Sequence, residues 1–145
     1  MKTILTTICL IAATVLTAQH QYEVVSQQEI GAIKCTYIKA ISGSTGKESY
    51  QVVFSFQNLE YHPTNSEISL SPELVEQFKR ELRFSITYIL EKSRDKNARL
   101  MRHEIYSLSV NGFLNRIYIY DHELKYNHMT VKEAQAILHW LNGLE

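Results

Sequence analysis

Residues 33–57 read IKCTYIKAISGSTGKESYQVVFSFQ, and the period of their apolar positions decides the kind of fold. Ile33, Cys35, Tyr37 and Ile41 fall on alternate positions, with Lys39 breaking the stripe. Successive side chains of a strand point to opposite faces, so this run is a strand with one buried face. Ser42 to Lys47 is a loop by its Ser and Gly content, and Tyr50, Val52, Phe54 and Phe56 then resume the alternation. The two runs predict an antiparallel hairpin.

On either side of this hairpin the signals are shorter. Val24 and Val25 predict a brief earlier strand, and Ile68 and Leu70 another after the loop at Pro63–Glu67. The period then changes. Ser71-Pro72-Glu73 supplies an N-cap, a proline at the first helical position and an acid in the first turn. Leu74, Val75, Phe78, Leu82, Ile86, Ile89 and Leu90 follow at helical spacing and predict one apolar face to cover a sheet. Lys92 to Arg102 reads as a polar connection.

The second half repeats the pattern. Residues 104–110 place Tyr106, Leu108 and Val110 on one face, Asn111-Gly112 signals a hairpin, and residues 113–120 return as a strand. Thr130-Val131-Lys132-Glu133 is a capping box, and Ala134, Ile137, Leu138 and Leu141 form the apolar face of a last helix ending near Gly143. The sequence predicts an α+β fold. It would be one domain over residues 19–145, an antiparallel sheet of about five to six strands with two helices packed on one face. The halves, 31–97 and 103–143, read as ββα pseudo-repeats. Leu59-Glu60-Tyr61 matches Leu124-Lys125-Tyr126, which an internal duplication and convergence on one pattern both explain.

Residues 1–18 carry a different message. Lys2 precedes the nearly unbroken apolar run Ile4–Val15, and Leu16-Thr17-Ala18 leads into polar residues. This is the pattern of a secretory signal peptide cut after Ala18, and it resembles the leaders of small exported bacterial proteins. The run is shorter than the roughly 20 apolar residues a spanning helix needs. The expected location is therefore periplasmic or extracellular, with no membrane span after cleavage. The 145 residues carry 15 basic and 15 acidic side chains. That balance argues against a nucleic-acid partner, which normally selects a basic excess. Cys9 leaves with the leader, so Cys35 has no partner for an internal disulfide and is either buried or bridges two chains.

Motifs that carry chemistry are lacking. The loop Gly43–Lys47 ends in Gly-Lys, but a strand follows it rather than the helix N-terminus a phosphate site needs. Asp121, His122, Glu123 and His128 are close in sequence, but neighbours on a strand face opposite ways, so they read as polar turn residues. His62, His103 and His139 are isolated, and Glu60 and Asp121 read as acids solvating strand ends. No catalytic, cofactor-binding or metal-ligating residue is assigned. Lys92, Arg94, Lys96, Arg99 and Arg102 form a basic run that reads as a helix end and its solvated connector.

Nine tyrosines are the most distinctive feature of the chain. Tyr118 and Tyr120 alternate with Ile117 and Ile119, share their side with Arg116, and are followed by Tyr126. With helices on only one side of the sheet, Arg116, Tyr118, Tyr120 and Tyr126 would form an open face. Tyrosine and arginine are favoured at protein contacts, whereas cross-strand pairing alone would make the same face a solvated sheet surface. The sequence thus predicts a small exported, non-enzymatic binding or protein-interaction module, with a protein, a small molecule or a second copy as partner. The rival reading is a small exported hydrolase whose site is assembled only by the fold.

Overall fold

The computed structural model of the protein describes residues 20–59, 64–92 and 99–144. The leader expected over residues 1–18 lies outside the described residues. The chain runs β1 (Gln21–Ile30), β2 (Ile33–Ile41), β3 (Glu48–Gln57), β4 (Asn65–Leu70), α1 (Pro72–Lys92), β5 (Arg99–Arg102), β6 (Tyr106–Asn111), β7 (Arg116–Asp121), β8 (Tyr126–Thr130) and α2 (Val131–Asn142). The α+β class is as expected, but the sheet is not. The described residues form eight strands in two four-stranded antiparallel sheets, ordered β1-β2-β3-β4 and β5-β6-β7-β8. Each half is thus four strands and a helix rather than two strands and a helix.

The expected hairpins are present and in register. Ile33 pairs with Phe56, Cys35 with Phe54 and Tyr37 with Val52 across β2 and β3, while Leu108 pairs with Ile119 and Val110 with Ile117 across β6 and β7. The second hairpin turns through four residues rather than the two that Asn111-Gly112 suggested. Asn111 Oδ1 accepts from the Leu114 N–H at 3.0 Å, and it is Asn115, not Gly112, that takes the left-handed conformation at φ 50°.

Three strands differ from the expectation. β1 extends over ten residues because it is an edge strand with little buried surface, and an irregularity between Val24 and Ser26 breaks its alternation. Arg99–Arg102, expected within the connector, pairs with β6, while residues 93–98 lie outside the described residues. β8 pairs with β7 and places Asn127 and Met129 on its buried side.

The helices and the inner faces of both sheets share one buried apolar cluster. Along α1, Val75, Phe78, Leu82, Ile86 and Ile89 are buried as expected, but Leu90 is exposed. Phe78 links the halves: its ring centroid lies 4.9 Å from Phe54 of the first sheet and 5.3 Å from Tyr106 of the second. On α2, Trp140 joins Ala134, Ile137 and Leu141 in the core, its indole N–H donating to Ser26 Oγ of β1 at 3.2 Å. The capping box at Thr130 and Glu133 is formed on both sides.

Replacing Phe78 with alanine leaves a cavity between the sheets, and such truncations cost about 3–5 kcal/mol. Both halves should then lose stability together, giving one lowered thermal transition by circular dichroism; two separate transitions would show the halves to be independent. Hydrogen bonds from the Thr130 backbone, the largest cause, hold the Glu133 carboxyl below the usual carboxylate range. Its folded pKa is the lower one, so its contribution is complete above the unfolded pKa and fades as pH falls through the folded value. Glu133→Gln should therefore be less stable than the parent at neutral pH and lose less on acidification, read from paired urea melts.

Candidate functional site

The side chains of β7 alternate strictly: Ile117 and Ile119 enter the core, while Arg116, Tyr118 and Tyr120 stand half-buried on the opposite face. Register assembles the rest. On β8, His128 sits beside Tyr118 and Tyr126 beside Tyr120; on β6, Ser109 and Ser107 are their respective partners. Three of the four expected residues therefore form one aromatic group with His128. Ring centroids are 6.4 Å apart for Tyr118 and Tyr120, 5.9 Å for Tyr118 and Tyr126, and 5.5 Å for Tyr120 and Tyr126. His128 meets Tyr118 edge-on at 5.7 Å. Arg116 stands at the end of the row, opposite Thr130 at the start of α2.

The rings are supported from below and from the side. Ser107 and Ser109 are buried on this outer face, and the Ser109 side chain hydrogen-bonds to the Tyr120 hydroxyl. Burial, followed by the neighbouring Tyr118 and Tyr126, nevertheless raises the Tyr120 phenol above its ordinary pKa. The backbone of Tyr126 is fixed by the first half of the chain: its N–H donates to Asn58 Oδ1 at 3.1 Å and its carbonyl accepts from the Leu59 N–H at 3.0 Å. Leu59 and Leu124, beside this junction, are exposed. The face offers aromatic and aliphatic surface with few rotatable bonds, hydroxyl groups and one guanidinium, which suits contact rather than bond-making.

His128 was missed as a member because β8 was not recognised. Its alternation is disguised by Asn127, a polar residue at a buried position. The Asn127 side chain donates to the Gln57 carbonyl at 2.7 Å, which explains how it can be there. The other acids and histidines of this region have local roles. Asp121 is buried and accepts from the Glu123 and Lys125 N–H groups at 2.8 and 2.9 Å, organising the turn; His122 is exposed. Among the described residues, no three His, Cys, Asp or Glu side chains are grouped to hold a metal ion.

Two further constellations appear only in three dimensions. His103 contacts Glu81 Oε1 through Nε2 at 2.5 Å and packs over Tyr106, whose hydroxyl donates to Glu81 Oε2 at 2.8 Å. Gln77 closes the group, with Nε2 3.2 Å from His103 Nδ1. These residues come from one helix face and one strand start, a proximity no local motif encodes. The second is a cleft at the start of α1 that includes Lys79. Lys79 follows Val75 by one turn and precedes Leu82, so it occupies the apolar stripe itself; that position was the available signal. A scan against protein-family models and a search of the curated proteins found no match to this chain.

Cys35 is fully buried on the core face of β2. Burial pushes its thiol up to about 12, so the reactive thiolate is scarce near neutral pH. Native protein should resist labelling by a thiol-specific disulfide reagent and react fully once unfolded. Rapid labelling of the native fold would restore the chain-bridging role.

Proposed function

We propose that the protein is a small exported, non-enzymatic binding module, acting in the periplasm or outside the cell, whose working face is formed by Arg116, Tyr118, Tyr120 and Tyr126. The observation that carries this reading is the convergence of three half-exposed tyrosine rings on a sheet face opposite the helices. Cross-strand pairing would account for a pair of rings, but a three-ring group flanked by Arg116 and by exposed Leu59 and Leu124 makes a continuous mixed surface of the kind that becomes the centre of a contact. The partner class favoured is a protein surface, with a second copy of this chain as the form of that partner that a two-fold axis would produce. The common strand–strand–strand–strand–helix order of the two halves supports an origin by duplication, with Leu59 and Leu124 in corresponding connections.

The hydrolase reading has one observation in its favour, the Glu81–His103 contact, since a carboxylate beside imidazole is a means of orienting a general base. Against it, the buried Cys35 thiol supplies no nucleophile there, and Tyr106 is held as a hydrogen-bond donor by burial and then by Glu81, which raise its pKa.

The double substitution Tyr118→Ser and Tyr120→Ser separates the readings. Native mass spectrometry and partner capture from the exporting compartment should show the complex, or the dimer, for the parent and its loss for the variant, with the thermal midpoint changed by no more than a few degrees. Capture that survives the double substitution would remove this face from the function. Loss of hydrolytic turnover in His103→Ala, with binding intact, would establish the enzyme instead.

A further inference from the structure

The register of the second sheet extends the tyrosine face by one strand. Side chains directly opposite each other in an antiparallel ladder share a face. Arg102 of β5 is opposite Ser107, Ser107 is opposite Tyr120, and Tyr120 is opposite Tyr126. Arg102 therefore lies at one end of a row that crosses all four strands, and it is exposed. Arg116 stands four residues before Tyr120 on β7, at the other end of the face. The two arginines thus occupy diagonal corners, with the tyrosine rings between and beside them.

The permanent charges on this face have one sign. Among the described residues, Arg102 and Arg116 are its charged side chains and no carboxylate shares it. The acids around it are engaged or lie past the strand ends. Asp121 is buried in the turn that it organises, and Glu123 is paired with Lys125 at 2.5 Å. Glu133 gives its Oε2 to the Thr130 N–H and hydroxyl and acts on Arg116 only at a distance. Glu104 lies beyond the end of β5. Neither arginine forms an ion pair among the described residues. The outer face of the first sheet is different: Glu29 stands opposite Lys34, and Glu67 accepts from Ser55. A chain with 15 bases and 15 acids thus keeps one sheet face clear of acids.

We propose that the partner of this face is an acidic protein segment, with carboxylates on Arg102 and Arg116 and apolar side chains on the tyrosine rings. The assignment rests on the reading of this face as the working surface, and it names the chemistry of what binds there. A guanidinium presents a planar fork of N–H donors that a carboxylate can accept in pairs, and complementary charge supplies specificity. Strands about 4.8 Å apart and a rise of about 3.3 Å per residue put the two arginines about 16 Å from each other, the length of about five residues of extended chain. A second copy placed by a two-fold axis would instead lay two cationic faces together. An acidic glycan would supply carboxylates but no apolar side chains for Leu59 and Leu124, which are exposed beside the rings.

The probe is an end-blocked peptide of two Glu-Ser-Leu-Gly-Ser repeats closed by a third Glu, with matched peptides carrying Gln or Lys at the Glu positions. In amide chemical-shift titrations the Glu peptide should give saturable shifts at Ser107, Ser109 and Tyr118, with the Gln and Lys peptides weaker by about tenfold or more. Added salt should narrow that difference. Arg102→Gln with Arg116→Gln should remove the preference at an unchanged thermal midpoint, and Arg102→Glu with Arg116→Glu should turn it toward the Lys peptide. Equal affinity for the Glu and Gln peptides, a preference for Glu that survives in the folded Gln variant, or no saturable shift on this face would each overturn the proposal. Tighter binding of a galacturonate decamer than of the Glu peptide would overturn it in favour of an acidic glycan. If the Glu and Gln peptides bind equally and Tyr118→Ser with Tyr120→Ser abolishes both, the acidic assignment falls while the face stands as the working surface.

Discussion

Each sheet presents one apolar face that must be covered. A four-stranded antiparallel sheet with an uncovered apolar face is unstable in water. The helix that follows the first sheet solves this for both, since α1 packs on β3 and β4 of one and on β6 and β7 of the other. Phe78 is the point of contact, touching Phe54 on one side and Tyr106 on the other. Tyr106 brings a difficulty with it, because a fully buried phenol needs an acceptor for its hydroxyl. Glu81 supplies one, and stands three residues after Phe78, on the same side of the helix. The helix that seals the core thus also satisfies the polar end of the largest fully buried side chain among the described residues. The second oxygen of Glu81 takes up His103, so that a histidine isolated in sequence becomes part of the core's polar edge.

Beside the shared apolar core, the seam between the sheets also carries amide hydrogen bonds. Asn58 and Asn127 are both buried, and each bonds to the backbone of the other half: Asn58 accepts from Tyr126, and Asn127 donates to Gln57. Satisfied buried amides add little net stability, because their bonds replace bonds to water, but leaving either one unpaired would be costly. Their value lies in fixing one register between the halves. The β7–β8 ladder itself brings Tyr126 next to Tyr120 and His128 next to Tyr118, and the amide bonds tie that edge of the second sheet to the first half.

What could be read from the sequence is what a local period encodes. The two central hairpins and both helices declare themselves because their apolar residues recur at 2 or 3.6 positions, and the capping box at Thr130 does so by its spacing. Tyr118 and Tyr120 were legible for the same reason, as the alternate face of β7. The edge strand β1 was illegible in length, since most of its residues are exposed and carry no sustained apolar period, and β5 was illegible because four residues are too few to show one. β8 was hidden by the buried Asn127, whose polarity makes sense only once Gln57 is beside it. Lys79 was passed over because a lysine in an apolar stripe looks like an interruption; only the fold shows its charge withdrawn beside an exposed partner. Leu90 errs the other way: an apolar residue near the stripe that the rotation of the helix turns to solvent.

The two faces of the protein meet at α2. Thr130 is both the last residue of β8 and the N-cap of α2, and it pairs with Arg116 across β7. Glu133, which completes the cap, lies so close to Gly31 that a side chain there would strike its carboxylate, and Gly31 itself holds φ at +60°. The turn between β1 and β2 is therefore built around the start of this helix, and only glycine meets both demands. At its other end, α2 anchors Trp140 on β1 through Ser26 and contributes Leu141 to the cleft. A displacement of α2 along its axis would disturb the cap beneath the Arg116 end of the tyrosine row and the cleft wall together. The cap at Thr130 and the indole bond of Trp140 hold that axis at two points about three turns apart, so the short helix is a strut between the outward-facing surface and the cleft behind it.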